Sequence, residues 1–286
     1  MTTKSNTIAM LNMKGGVGKT TLAVNIAGAL AKLHDLNVML IDLDPQYNAT
    51  QYLVDLEQHP EYVEGNEPTA LDVMCGEFEI RSILDGHKIG GKESLPSLDQ
   101  LTRTMYQNPS GRGKLDLIPS TLHLINVENT GRGTEHNLQN FVSTVRGGYD
   151  YIFIDCPPTF SVFLLSGFLA SDYYLVPLKP DPLSTLGISL LERVLAAHSK
   201  TFHKVIEPIG VVFTMVRQTN EMDNVMDTVK KTSAGKRYIF RNPLSNATAV
   251  AEASRKNLFL FDYPRSWKQG EEIKAITKEL IGLLRI

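Results

Sequence analysis

The chain has 286 residues, of which 42% are hydrophobic and 21% charged, with a formal net charge of −2. That length is near the upper end of what one core sustains, and the near-neutral balance excludes a surface that is basic throughout, though not a local basic patch. Two cysteines, Cys75 and Cys156, are too few for a disulfide framework and lack metal-site spacing, and no run approaches the roughly 18 apolar residues of a spanning helix.

Ile8-Ala9-Met10-Leu11 is a short apolar run of the kind a buried parallel strand carries. It leads into Lys14-Gly15-Gly16-Val17-Gly18-Lys19-Thr20-Thr21, after which Leu22, Ala23, Ile26, Ala27, Leu30 and Leu33 recur at helical spacing. Val38–Ile41 is a second strand, ending in Asp42-Leu43-Asp44-Pro45. Residues 57–113, punctuated by Pro60, Pro68, Pro96 and Pro109, read as surface helices and loops inserted between strands. Further strands are predicted at Leu115–Ile118, Tyr151–Ile154, Tyr174–Pro177 and Ile209–Thr214. Ile273, Ile276, Leu280, Leu283 and Leu284 give the last segment a helical stripe, read as packing on the sheet. Strands alternating with helices predict an α/β fold, a mostly parallel twisted sheet with helices on both faces. One domain over residues 1–286 is expected. The first strand starts within the first ten residues, so no helix-turn-helix module is expected before it.

Three segments carry chemistry. In the first, Gly15, Gly16 and Gly18 let the backbone curl close to phosphate oxygens, where its N–H groups donate. Lys19 is placed to reach outer phosphates and the Thr20 hydroxyl suits Mg²⁺. Lys14, Gly15, Gly16, Val17, Gly18, Lys19, Thr20 and Thr21 therefore form a candidate nucleoside-triphosphate site. The common form of this loop has glycine five positions before Gly18, where this chain has Met13, and a second lysine, Lys14, is what the departure supplies.

The second segment, Asp42-Leu43-Asp44-Pro45-Gln46, ends a strand and so sets a carboxylate beside the loop. Asp44 is a candidate to orient an attacking water or to contact a metal-bound water. Helix capping is the plainer reading, since Asp before Pro often starts a helix. The third segment runs from Tyr151 through Asp155 to Pro158. An apolar strand ending in Asp155 suits a Mg²⁺ ligand, direct or through water. Pro157 and Pro158 stiffen the backbone just past that strand, as a switch sensing the third phosphate needs.

Together, Lys14–Thr21, Asp42–Gln46 and Asp155–Pro158 resemble the deviant Walker ATPases, and among them the plasmid and chromosome partition proteins of the ParA/Soj family. The resemblance extends through Leu175-Val176-Pro177 and Gly210–Thr214 to the terminal helix. It implies ATP and Mg²⁺ as cofactors, with Thr20 and Asp155 at the metal. It also implies a homodimer that closes on ATP, in which Lys14 reaches the partner's nucleotide, and hydrolysis that needs Asp44 near an in-line water. An ordinary aspartate is a weak base at neutral pH, so Asp44 is read as orienting water. Turnover is expected to be slow until a ParB-like partner accelerates it. The resemblance further implies non-specific DNA binding, a cytoplasmic location with nucleoid association in the ATP state, and no stable membrane anchor.

Two departures from the family stand out. Soj-type members carry glycine after Asp-Pro-Gln, where this chain has Tyr47; if that position takes positive φ, tyrosine is strained. The stretch Leu244–Ala253 lacks the arginines with which relatives touch DNA, which leaves Lys230, Lys231, Lys236, Arg237 and Arg241 as candidates, with Arg255 and Lys256 beyond. A solvated basic face is the plainer reading of that cluster. The rival branches are a MinD-like or other cargo-positioning ATPase, acting on membrane or protein complexes, and an electron-transfer protein resembling the nitrogenase iron protein. The terminal helix has a mixed polar face, poor for anionic lipid. Around Cys75 the sequence resembles a cluster segment, but only Cys156 comes later as a second thiolate.

Overall fold

The computed structural model describes residues 5–60, 62, 67–76, 79–81, 86, 88–90, 94–129, 133–231 and 238–284. Its strands are β1 (Asn6–Met10), β2 (Asn37–Asp42), β3 (Glu79–Arg81), β4 (Lys88–Gly90), β5 (Arg103–Gln107), β6 (Lys114–Ile118), β7 (Tyr151–Asp155), β8 (Tyr173–Leu178) and β9 (Glu207–Phe213). The helices are α1 (Lys19–His34), α2 (Asn48–Leu53), α3 (Ala70–Cys75), α4 (Leu98–Leu101), α5 (Asn137–Val145), α6 (Val162–Ala170), α7 (Ser184–Phe202), α8 (Asn220–Lys231), α9 (Thr248–Arg255) and α10 (Trp267–Leu284).

Seven strands form one sheet in the order β5-β6-β2-β7-β1-β8-β9, parallel except for the β5 edge. Both faces are covered, so successive residues of a strand enter different cores. Ile8, Met10, Val38, Leu40 and Phe153 pack with α1 and α10 on one side. Ala9, Leu11, Met39, Ile41, Ile152 and Ile154 pack with α5, α6 and α7 on the other. This two-sided burial is why the strands read as unbroken apolar runs rather than as alternation. The predicted stripe on α10 does pack inward: Ile273, Ile276 and Leu280 are fully buried, while Leu283 and Leu284 lie against the same core. Leu33 departs from its pattern and is 43% exposed near the end of α1.

Residues 57–113 hold more than helices and loops. They contain the β3–β4 hairpin and the antiparallel edge strand β5, which sequence reading passed over. β5 has the sequence Arg-Thr-Met-Tyr-Gln and is only partly covered, so it carries no apolar run to announce it.

Register decides where the chemistry sits. Met10 and Asp42 both pair with Asp155, so the carboxyl ends of β1, β2 and β7 finish side by side. The glycine loop leaves β1 beside these two acidic strand ends.

On the β9 side, Gly210 is held against the chain beyond α8. A Cβ added there would lie 2.3 Å from the Tyr238 carbonyl oxygen. That carbonyl accepts from Val211 N at 2.9 Å, so it cannot retreat without breaking the pairing. Gly210→Ala is expected to cost about 1–3 kcal/mol of stability, read as a lower urea midpoint with unchanged slope.

Candidate functional site

Gly16 (φ 68°) and Gly18 (φ 78°) occupy left-handed backbone that favours glycine, and they curl the loop onto itself. The curl is tied down from β9, where Thr214 Oγ1 donates to the Val17 carbonyl at 2.5 Å. α1 starts at Lys19 with no side-chain cap and no acidic residue in its first turn, which leaves its N-terminus suited to an anion. In front of it lies a cavity of about 340 Å³, lined by all the residues from Gly15 to Thr21. Its far wall is formed by Asp44, by Asn48, Gln51 and Tyr52 of α2, and by Ser254 of α9.

The charges around the loop are buried. Thr20 Oγ1 donates to Asp155 Oδ2 at 2.6 Å, so the structure brings these two predicted residues together. Burial raises the Asp155 pKa to about 6, against the pull of the Thr20 hydroxyl and the Lys19 ammonium. Asp155 Oδ1 is buried with no hydrogen-bond partner among the described residues. Lys19 is buried too, and burial lowers its pKa although Asp155 and Asp44 act to raise it. Asp42, next to Asp155 across the strands, is pushed to about 8 by burial and then by the Asp155 charge.

Asp42 works on the loop after β2. Its Oδ2 accepts from Thr50 N at 2.8 Å and Thr50 Oγ1 at 2.9 Å, and its Oδ1 accepts from Asp44 N at 3.1 Å. Asp44 reaches the cavity, and its Oδ1 also accepts from Gln46 N at 2.9 Å, a local turn bond close to the capping reading. Tyr47 does sit at positive φ, 43°, and is therefore strained where glycine would not be.

Lys14 stands apart from the rest of its loop. It does not line the cavity; its ammonium is ion-paired with Asp181, just beyond β8. The turn beneath it is fixed by Asn12, whose Oδ1 accepts from Lys14 N at 2.9 Å and whose Nδ2 donates to the Pro177 carbonyl at 2.6 Å. A second pocket of about 260 Å³ opens on the other side of Gly16 and Gly18, walled by Met215, Leu244 and Val250. Met215 holds φ 54° there. No sequence signal marked Asp181, Met215 or Ser254, because each meets the loop only through the tertiary fold.

The basic candidates lie elsewhere. Lys230 and Lys231 are exposed at the end of α8, with Lys230 paired to Asp227 at 3.2 Å, and Arg241 is exposed beside α10. Lys236 and Arg237 lie outside the described residues. Cys75 and Cys156 are buried, and burial raises both thiols, Cys75 to about 12. Among the described residues no helix is long and apolar enough to cross a membrane.

A parallel sheet, a glycine loop at the carboxyl end of β1, and carboxylates on the ends of β2 and β7 define a phosphate-loop NTPase fold of the deviant Walker kind. The comparisons agree. A family profile described as "AAA domain" matches residues 5–207. The sporulation initiation inhibitor protein Soj of Bacillus subtilis is 30% identical over 271 residues, 93% of this chain and 94% of Soj. A virulence plasmid ParA family protein of Chlamydia psittaci is 27% identical, over 96% of this chain and 93% of its own. In fold, a variant of Cyanothece McdA solved in complex with ATP superposes with a TM-score of 0.75 at 19% identity, covering 99% of each chain. The chain belongs to the ParA/Soj family of partition ATPases.

Thr50, buried in α2, ties down the end of β2 by giving two bonds to Asp42 and accepting from Ser120 N at 2.9 Å. Thr50→Val is expected to destabilise the protein by about 1–3 kcal/mol, since it removes a hydroxyl from the Asp42 carboxyl and strands the Ser120 amide, and urea unfolding reads it directly.

Proposed function

We propose that the chain is an ATP-dependent DNA-segregation ATPase that dimerises on ATP, binds DNA non-specifically and is switched off by partner-stimulated hydrolysis. The observation that carries this reading is one cavity lined by the glycine loop and Asp44, with Asp155 buried behind Thr20 and bonded to it, and with Lys14 outside the cavity. The triphosphate lies along the loop amides with Lys19 on its outer phosphates. The base fits the adjoining pocket, whose Met215, Leu244 and Val250 suit a flat apolar ring.

The donors present fit Mg²⁺. A buried carboxylate oxygen without a partner beside a hydroxyl is a hard-oxygen set, and a cation there relieves the crowding of Asp42, Asp44 and Asp155. Thr20 would hold the ion directly and Asp155 through water. When bound, the metal neutralises charge on the phosphate oxygens. Asp44 then orients a water in line with the third phosphate; having no strong base nearby, hydrolysis is slow alone and awaits a ParB-like activator.

Lys14 is assigned to the partner's nucleotide. Two lysines on one loop repel, and a triphosphate shared across two copies relieves the repulsion. Phe160, Leu183, Leu186 and Leu190, all half exposed or more, give a second copy apolar side chains to cover, the three leucines lying just beyond Asp181 in sequence. A membrane-attached version of the cycle is disfavoured because the stripe of α10 is already packed on the sheet.

Lys14→Ala is expected to bind ATP as a monomer and to lose ATP-dependent dimerisation in sedimentation runs; a persisting ATP dimer removes the cross-subunit role. Asp44→Ala is expected to bind ATP and dimerise while phosphate release falls about 100-fold or more. Undiminished release takes Asp44 out of the mechanism.

A further inference from the structure

Asp44 can act on a nucleotide only if its carboxyl is aimed, and most of its hydrogen-bonding groups are already committed. Its N donates to Asp42 Oδ1 at 3.1 Å, and its Oδ1 accepts from Gln46 N at 2.9 Å. Its carbonyl accepts twice, from Tyr47 N at 2.8 Å and from Ser120 Oγ at 2.8 Å. No hydrogen bond to Oδ2 is made among the described residues, so that oxygen is the one left for the cavity that Asp44 lines.

Ser120 differs from the other partners. Asp42, Gln46 and Tyr47 lie within a few residues of Asp44, whereas Ser120 follows β6, 76 positions along the chain. The turn needs an anchor of that kind, because Tyr47 holds left-handed backbone, φ 43°, that a residue with a Cβ does not favour. Ser120 is itself fixed: it is buried, and its N donates to Thr50 Oγ1 at 2.9 Å. Thr50 Oγ1 and N donate in turn to Asp42 Oδ2 at 2.9 and 2.8 Å. Since Asp42 accepts from Asp44 N, the bonds close a ring through Asp44, Ser120, Thr50 and Asp42, all of them buried. Removing the Ser120 hydroxyl frees the Asp44 carbonyl while leaving the bonds from Thr50 to Asp42 in place.

We propose that Ser120 is a positioning residue for hydrolysis: its Oγ pins the Asp44 carbonyl and so sets the direction in which the free carboxyl oxygen meets the attacking water. The inference rests on the reading of Asp44 given above, and it adds a residue that lies in none of the three motifs. Ser120 is not among the residues lining the cavity, so its effect on ATP passes through Asp44. Its loss therefore acts on the chemical step and not on affinity. The effect is large enough to read, because a misplacement of about 1 Å at a reacting centre costs up to roughly 100-fold in rate.

Phosphate release by the full chain with Mg-ATP is followed in single turnovers with protein in excess. The plateau rate then reports the chemical step, and the protein concentration at half-maximal rate reports affinity. Ser120→Ala is expected to lower the plateau rate about 10-fold, with half-saturation within about 2-fold of the unsubstituted protein. In an Asp44→Ala background the same change is expected to alter release by less than about 2-fold, because the group it positions is gone. Should Ser120→Ala misfold by circular dichroism, Ser120→Cys, whose thiol is a weak donor, carries the same comparison. An undiminished plateau rate, or a shift in half-saturation alone, overturns the positioning role and leaves Asp44 its own. An equal further loss in the Asp44→Ala background overturns it too, since Ser120 then acts by another route. Undiminished release from Asp44→Ala by itself overturns the underlying reading instead.

Discussion

Two carboxylates, Asp44 and Asp155, act on a single buried ammonium, Lys19, at the carboxyl edge of the sheet, and a third, Asp42, is buried against Asp155. Parallel register forces this, since β2 and β7 end at the same level and each ends in aspartate. Removing such charges from water costs several kcal/mol each unless they are paired. One lysine cannot balance three carboxylates, so burial pushes Asp42 and Asp155 toward their protonated forms. The site thus holds more carboxyl groups than one ammonium can pair on one side and open loop amides on the other.

The two lysines of the loop divide their work by position. Lys19 enters the cavity from the start of α1, whereas Lys14 leaves the loop on its outer side and rests on Asp181. The Asn12 bridge to Pro177 fixes the turn that sends them apart. Asp181 belongs to the segment leading into α7, so the outer lysine is anchored next to the helix that carries Leu186 and Leu190 and not in the cavity in front of α1.

Much of this was legible in the sequence because it rests on local rules. Buried parallel strands are apolar runs, so six of the seven sheet strands could be read from Ile8–Leu11 onward, within a residue or two at their ends. The loop was legible because glycine is what left-handed turns need, and Asp44 and Asp155 because strand ends are fixed in space. Tyr47 at φ 43° is legible only through the glycine that Soj-type members carry at that position. What stayed hidden is tertiary. β5 is polar and lies at an edge, the β3–β4 hairpin sits in an irregular stretch, and Asp181, Met215 and Ser254 reach the loop from strand ends and helices far along the chain. The bond from Thr214 to Val17 spans nearly two hundred positions, and no periodicity encodes it.

The borders of the sheet restrict how copies can assemble. On one side β9 is already sealed: Val211 bonds to Tyr238 and Phe240, and Phe213 to Leu244, so its outward amides and carbonyls are largely spoken for. On the other, β5 is short, polar and interrupted by a register shift between Thr104 and Tyr106. Neither border offers a flat ladder for another chain to extend. Contacts between copies of this protein are therefore left to loops and helix faces rather than to strand addition.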